Sequence, residues 1–214
     1  MLINSETNLN FRSRNSTIRF ADDIARKINS EYPRISPSKL EGLANAKKFE
    51  KFLDKLWDRV GILRDQIVFY MKTQVSVKTK VENILYRLKN KRLGNCGESV
   101  LLAYIASRIN GIKDCKFAYL STPKGFDLDH AVLLVEEKKP YVIDAWFGFA
   151  DYIPNAIKRY QKEYQKYFDF EKAKTQKIKI KPDNYSLYKG LEKEITAKDL
   201  RVIKRVCRNL VIKK

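Results

Sequence analysis

The chain has 214 residues, 44% of them hydrophobic, and carries a net charge of +19. That is enough apolar material for a real core and excludes a disordered composition. No run nears the roughly 18 to 20 apolar residues of a membrane-spanning helix. The charge favours anionic partners, whether acidic protein, nucleic acid or anionic lipid, and it reads equally as a solvated, Lys-rich surface. It is uneven: residues 153–214 hold 18 Lys plus Arg against 7 Asp plus Glu.

The polar, Asn- and Ser-rich stretch 1–16 lacks the apolar core of a secretory signal. The expected compartment is therefore the cytoplasm, or a host cell reached by export without a cleaved signal. Three cysteines, Cys96, Cys115 and Cys207, are too sparse and odd in number for a disulfide framework. With one His and no Cys-x-x-Cys pair, no metal site is expected, and no cofactor.

Residues 20–30 read as a helix with Ile24 and Ile28 on one face. Ser36-Pro37 reads as the cap and start of another, with Phe49, Phe52, Leu53, Leu56 and Val60 at three- and four-residue spacing. Residues 62–71 and 77–88 continue the helical pattern, the latter through Val81, Ile84, Leu85 and Leu88. Residues 1–92 thus form a helical region expected to pack on a core made by residues 93–214, the two in one unit.

The character changes at Gly94. Gly94-Asn95-Cys96-Gly97 reads as a turn, and residues 98–109 as a helix apolar nearly all round, hence buried on most sides. Asn110-Gly111 ends it. Residues 116–121, 130–136 and 141–146 read as strands. The last two are joined by the short polar turn 137–140 and must pair antiparallel. Residues 154–168 form a helix rich in Tyr and Lys, and 177–181 alternate Lys and Ile as an exposed edge strand does. Thr196 caps a last helix reaching Leu210. The fold class is α+β.

Cys96 stands at the start of the buried helix, where backbone N–H groups favour a thiolate and can hold an oxyanion. Gly94 and Gly97 leave room for a substrate. Taken alone, Cys96 reads as an ordinary buried thiol. His130, the sole His, reads alone as a strand-end residue held by one hydrogen bond, yet it is the one side chain suited to act as a base near neutral pH. Asp144 sits in an apolar strand, which is costly unless it is paired. A hairpin centred near residue 137 is expected to set His130 directly opposite Asp144, with Cβ atoms about 4.5 to 5.5 Å apart. That is the orienting contact of a triad. Together the three signals point to Cys96 as nucleophile, His130 as base and Asp144 as the residue that orients it.

Gly94-Asn95-Cys96-Gly97-Glu98, Asp129-His130-Ala131 and Ile143-Asp144-Ala145-Trp146 resemble stretches of the papain-like, transglutaminase-like thiol enzyme superfamily, and within it bacterial effector and toxin members. The resemblance covers roughly residues 93–149, and Ala145 stands where those members carry Pro. It implies a papain-like core and an acyl-thioester route on a protein amide, giving proteolysis, glutamine deamidation or transglutamination. It also implies an oxyanion hole made by the Cys96 N–H and a side-chain donor, for which Asn95 and Gln66 are the candidates. Gly97 and Trp146 are candidates for the substrate site, Trp146 reading equally as core. Arylamine acetyltransferases share the layout, but Arg92-Leu93-Gly94 departs from the Arg-Gly-Gly that precedes their Cys. An alternative needs no chemistry: a basic module in which residues 153–214, with Tyr160, Tyr164 and Tyr167, grip nucleic acid or another anionic surface.

Overall fold

The computed structural model describes residues 16–41, 46–121, 127–167, 178–182, 191 and 195–212. The stretch 1–15, and much of the basic segment between 168 and 194, lie outside them.

Helix α1 (Ser16–Glu31) buries Ile18, Ala21, Ile24, Ala25 and Ile28, a stripe at helical spacing. The expected second helix divides into α2 (Pro37–Glu41), a 3-10 turn (Ala46–Phe49) and α3 (Glu50–Lys72). Leu53, Leu56, Val60, Leu63, Ile67 and Met71 form the inward stripe of α3. Phe49 and Phe52 do not share it, being 58% and 54% exposed. Phe52 stands one residue from Leu53, about 100° around the helix, so both cannot face the core. Helix α4 (Val77–Lys91) starts at Ser76, whose hydroxyl accepts the Thr79 N–H at 3.2 Å, and buries Val81, Ile84, Leu85 and Leu88.

Helix α5 (Cys96–Ile109) begins two residues earlier than the expected start at Glu98, taking Cys96 into its first turn. Every residue from Glu98 to Ile109 is buried except Arg108. Asn110 closes the helix and Gly111 follows with φ 91°. The sheet contains β1 (Cys115–Ser121), β2 (Asp127–Val135), β3 (Tyr141–Asp144), β4 (Phe149–Tyr152) and β5 (Lys179–Pro182). Its order is β4-β3-β2-β1-β5, antiparallel throughout. Strand β4 carries too short an apolar pattern to be read in advance, and β3 stops at Asp144 rather than Trp146. The Lys/Ile segment is an edge strand, as its alternation suggests, although Lys177 lies outside the described residues. Helix α6 (Ile153–Tyr167) follows β4, and α7 (Ala197–Val206) is capped by Thr196, whose N–H donates to the Asp199 carboxylate at 3.0 Å.

Both faces of the sheet are covered, so the architecture is α+β with the sheet inside. Leu133, Val135, Tyr141 and Ile143 join α1, α3, α4, α5 and α7 in one apolar cluster. Val132, Leu134 and Val142 join Phe149, Ala156 and Tyr160 beneath α6. The first cluster runs from Ile18 to Leu210, so one core crosses from the N-terminal helices into the rest of the chain. Among the described residues, no helix is long and apolar enough to cross a membrane.

A short parallel bridge between Ile35 and Leu93 positions the site. The Ile35 N–H donates to the Arg92 carbonyl at 2.8 Å and the Gly94 N–H to the Ile35 carbonyl at 3.2 Å. The bridge lays the segment before α2 against the start of α5. Gly94 has φ 148°, and a Cβ there would stand 2.8 Å from the Glu98 Cβ. Only glycine fits so close an approach in that conformation. Gly94→Ala is expected to destabilise the fold by about 2 kcal/mol or more. Gly61→Ala, on α3 with nothing within 4 Å, should stabilise it by about 0.5 to 1 kcal/mol. Urea midpoints of the two variants should therefore move in opposite directions.

Candidate active site

The start of α5 is held from within. The Glu98 carboxylate, completely buried, accepts the Asn95 backbone N–H at 2.7 Å. This is half of a capping box, with Asn95 as the capping residue. Arg64 of α3 donates to the same carboxylate at 2.7 and 3.3 Å. Arg34 stands close enough that Glu98 favours its charge, although burial dominates and brings that guanidinium down to about 10. Asn95-x-x-Glu98 is the local pattern that could have revealed this role in advance. Cys96 is then presented on the first turn, partly exposed, where the helix dipole favours negative charge.

His130 and Asp144 meet, but not by direct opposition. The hairpin pairs Leu133 with Ile143, Leu134 with Val142 and Val135 with Tyr141, so its centre lies one position later than the sequence suggests. In that register Asp144 falls opposite Val132, and His130 lies two residues away on the same face. Diagonal neighbours of this kind are within reach of long side chains. The His130 Nε2 donates to the Asp144 Oδ2 at 2.6 Å. The other Asp144 oxygen accepts the backbone N–H groups of Trp146 and Phe147, each at 2.9 Å. The carboxylate that holds the His thus also folds the four-residue turn between β3 and β4. With Nε2 committed to Asp144, Nδ1 is the ring nitrogen left for Cys96, whose thiol is hydrogen-bonded to His130.

Both members of the pair are buried, His130 2% and Asp144 1% exposed. Burial by itself would drive the imidazole toward its neutral form. The Asp144 charge and hydrogen bond, aided by Cys96, overcome this and raise His130 to about 10. Burial likewise opposes ionisation of Asp144, and the His130 charge and hydrogen bond, then the turn N–H groups, hold its pKa below the ordinary value. The rings of Trp146, Phe147 and Tyr160 surround the imidazole at 5.0, 5.2 and 5.7 Å between centroids.

Two neighbours come from far up the chain. The Ser36 hydroxyl donates to the Asn95 Oδ1 at 2.7 Å and accepts the Trp146 indole N–H at 3.1 Å. The Lys39 ammonium donates to the Trp146 carbonyl at 2.6 Å and lies 4.6 Å from the centre of its ring. Burial lowers the Lys39 pKa, partly offset by the charge of Asp144. The local pattern marks Ser36 only as a helix cap and does not mark Lys39; the bridge between residues 35 and 93 brings both here.

The structure therefore brings Cys96, His130, Asp144, Asn95 and Trp146 together. Gly97 lies half-buried in the same first turn of α5. Gln66 faces α4: its carbonyl accepts from Arg87 at 2.6 Å, and with Arg59, Ile62, Leu63, Lys91 and Leu93 it lines a cavity of about 120 Å³. Tyr160 is completely buried against His130 and offers no ring to an outside partner. The side chains of Tyr164 and Tyr167 lie outside the described residues. Among the described residues, no group of three or more His, Cys, Asp or Glu side chains could hold a metal ion. Compared with known proteins, the chain matches no family model, no curated sequence and no solved structure.

The pair predicts a pH dependence of stability. His130 titrates near 6.5 when unfolded and near 10 when folded, so its stabilisation is complete below 6.5 and is lost as pH rises toward 10. Asp144 acts oppositely, stabilising above 3.8 and losing that contribution as pH falls through its lowered value. Urea unfolding free energy of the wild type should decline relative to Asp144→Asn between about pH 6.5 and about pH 10. Parallel curves over that window would show that Asp144 does not set the His130 charge.

Proposed function

We propose that the protein is a cysteine-dependent hydrolase or acyltransferase acting on a protein amide, with Cys96 as nucleophile, His130 as base and Asp144 as the residue orienting that base. The observation that carries the reading is the chain of contacts from Cys96 to the His130 imidazole, and from its Nε2 to Asp144 at 2.6 Å. A buried helix headed by the thiol, packed on an antiparallel sheet that supplies the His and then the Asp, supports a papain-like or transglutaminase-like core. The net charge of +19 suits an acidic protein substrate.

In this mechanism the Cys96 proton already resides on His130 Nδ1, giving the thiolate–imidazolium pair that the raised His130 pKa favours, while Nε2–H stays on Asp144, which stabilises the imidazolium. The thiolate attacks the amide carbonyl, and the C=O electron pair moves onto oxygen beside the first turn of α5. Collapse of this intermediate expels the amine, which leaves with the His130 proton, and an acyl thioester remains on Cys96. Water, deprotonated by His130, then releases an acid and restores the thiolate–imidazolium pair. An incoming amine instead forms a new amide. The first outcome is proteolysis or glutamine deamidation, and the second is transglutamination.

Selective thiol chemistry tests the reading. Cys115 is 8% exposed and Cys207 fully buried, burial pushing the Cys207 thiol up to about 12. Iodoacetamide should label Cys96 at least ~10-fold faster than either, because the thiolate is the reactive form. Equal labelling of all three in the folded protein would overturn the proposal. With dimethylcasein as substrate, peptide release, ammonia release and incorporation of a fluorescent amine separate the three reactions. Whichever occurs should be abolished in Cys96→Ala and His130→Ala.

A further inference from the structure

Asn95 is 2% exposed, and among the described residues its Nδ2 has no hydrogen-bond partner. A buried amide donor left unpaired costs about 1 to 3 kcal/mol. The orientation of the amide is not arbitrary. Ser36 Oγ accepts two donors, the Trp146 indole N–H at 3.1 Å and the Lys39 backbone N–H at 3.4 Å. Its single proton is therefore directed to Asn95 Oδ1, at 2.7 Å. That leaves the oxygen of the amide occupied and the NH2 as the orphan, one residue from the thiol. The backbone N–H of Cys96 lies beside it in the first turn of α5, where helix N–H groups converge on negative charge.

We propose that Asn95 Nδ2 is the side-chain donor that receives the oxyanion formed on Cys96, and that Ser36 is the positioning residue that turns the amide toward it. The inference rests on the thiol-enzyme reading above and adds to it a residue from the N-terminal helices. Nδ2 is buried one residue from the thiol, where an acyl oxygen seated on Cys96 supplies the partner it lacks. Ser36 also joins the two halves of the site, since its other contact, Trp146, belongs to the turn that Asp144 folds.

Two reagents separate oxyanion binding from general integrity. With p-nitrophenyl acetate, the Cys96 thiolate bonds to the carbonyl carbon and the C=O pair moves onto oxygen. The intermediate collapses, re-forming C=O, breaking the ester C–O bond and releasing p-nitrophenolate with its electron pair. Iodoacetamide reacts by displacement of iodide at a saturated carbon and forms no oxyanion. Asn95→Ala should slow p-nitrophenolate release by about 100-fold, with alkylation of Cys96 changed by less than about 2-fold. Asn95→Ser, which keeps an oxygen able to cap the helix, should behave in the same way. Ser36→Ala should slow acylation by about 10-fold, the worth of one hydrogen bond, and Ser36→Thr should restore it. Acylation unchanged in the Asn95 variants, or reduced in step with alkylation, would overturn the assignment while leaving the nucleophile intact. A wild type acylated no faster at Cys96 than at Cys115 or Cys207 would overturn the thiol-enzyme reading itself, and this inference with it.

Discussion

Helix α5 has no polar side, and that constraint organises the molecule. Its residues from Glu98 to Ile109 are buried, Arg108 excepted. A helix that is apolar all round must be enclosed, because each side chain left in water forgoes about 25 cal/mol per Å² of buried apolar surface. Helices α1, α3, α4 and α7 and one face of the sheet provide the enclosure. Arg108 aside, the partly exposed residues of the helix are Cys96 and Gly97 in its first turn.

Enclosing that turn required charges to be taken out of water, and each is compensated. Glu98 is met by Arg64 and by the Asn95 N–H. Asp144 is met by His130 and by two backbone N–H groups. Breaking such a buried pair by removing one partner costs several kcal/mol, because it strands the other charge. These pairs serve placement as much as stability. Glu98 ties the start of α5 to α3, and Asp144 ties the ring of His130 to the turn that follows β3. Asn95 Nδ2, without a hydrogen-bond partner among the described residues, departs from this accounting.

Much of the architecture was legible because it depends on local periodicity. The stripes of α1 and α4, the apolar run of α5, the Thr196 cap and the Lys/Ile edge strand all follow from spacing of two or of three to four residues. Where two local signals competed, the reading failed. Phe49 and Phe52 fit a helical stripe as well as Leu53 does, and only the packed core shows that α3 turns Leu53 inward. The His130–Asp144 contact was legible as a partnership, since a carboxylate in an apolar strand needs a partner. Its geometry was not, because the turn geometry sets the register, and a one-position shift of the hairpin centre moved Asp144 opposite Val132.

The sequence by itself determined the α+β class, the enclosed helix, and the three side chains Cys96, His130 and Asp144 as a group, since burial and pairing leave marks on neighbouring residues. Tertiary structure decided which other residues join them. Ser36 lies 59 residues from Asn95 and 110 from Trp146, and the bridge at Ile35 and Leu93 carries it to both. The packing of α3 on α4 likewise decided that the Gln66 carbonyl accepts from Arg87. Contacts so distant in the chain depend on how helices close on one another, and no short-range pattern records that.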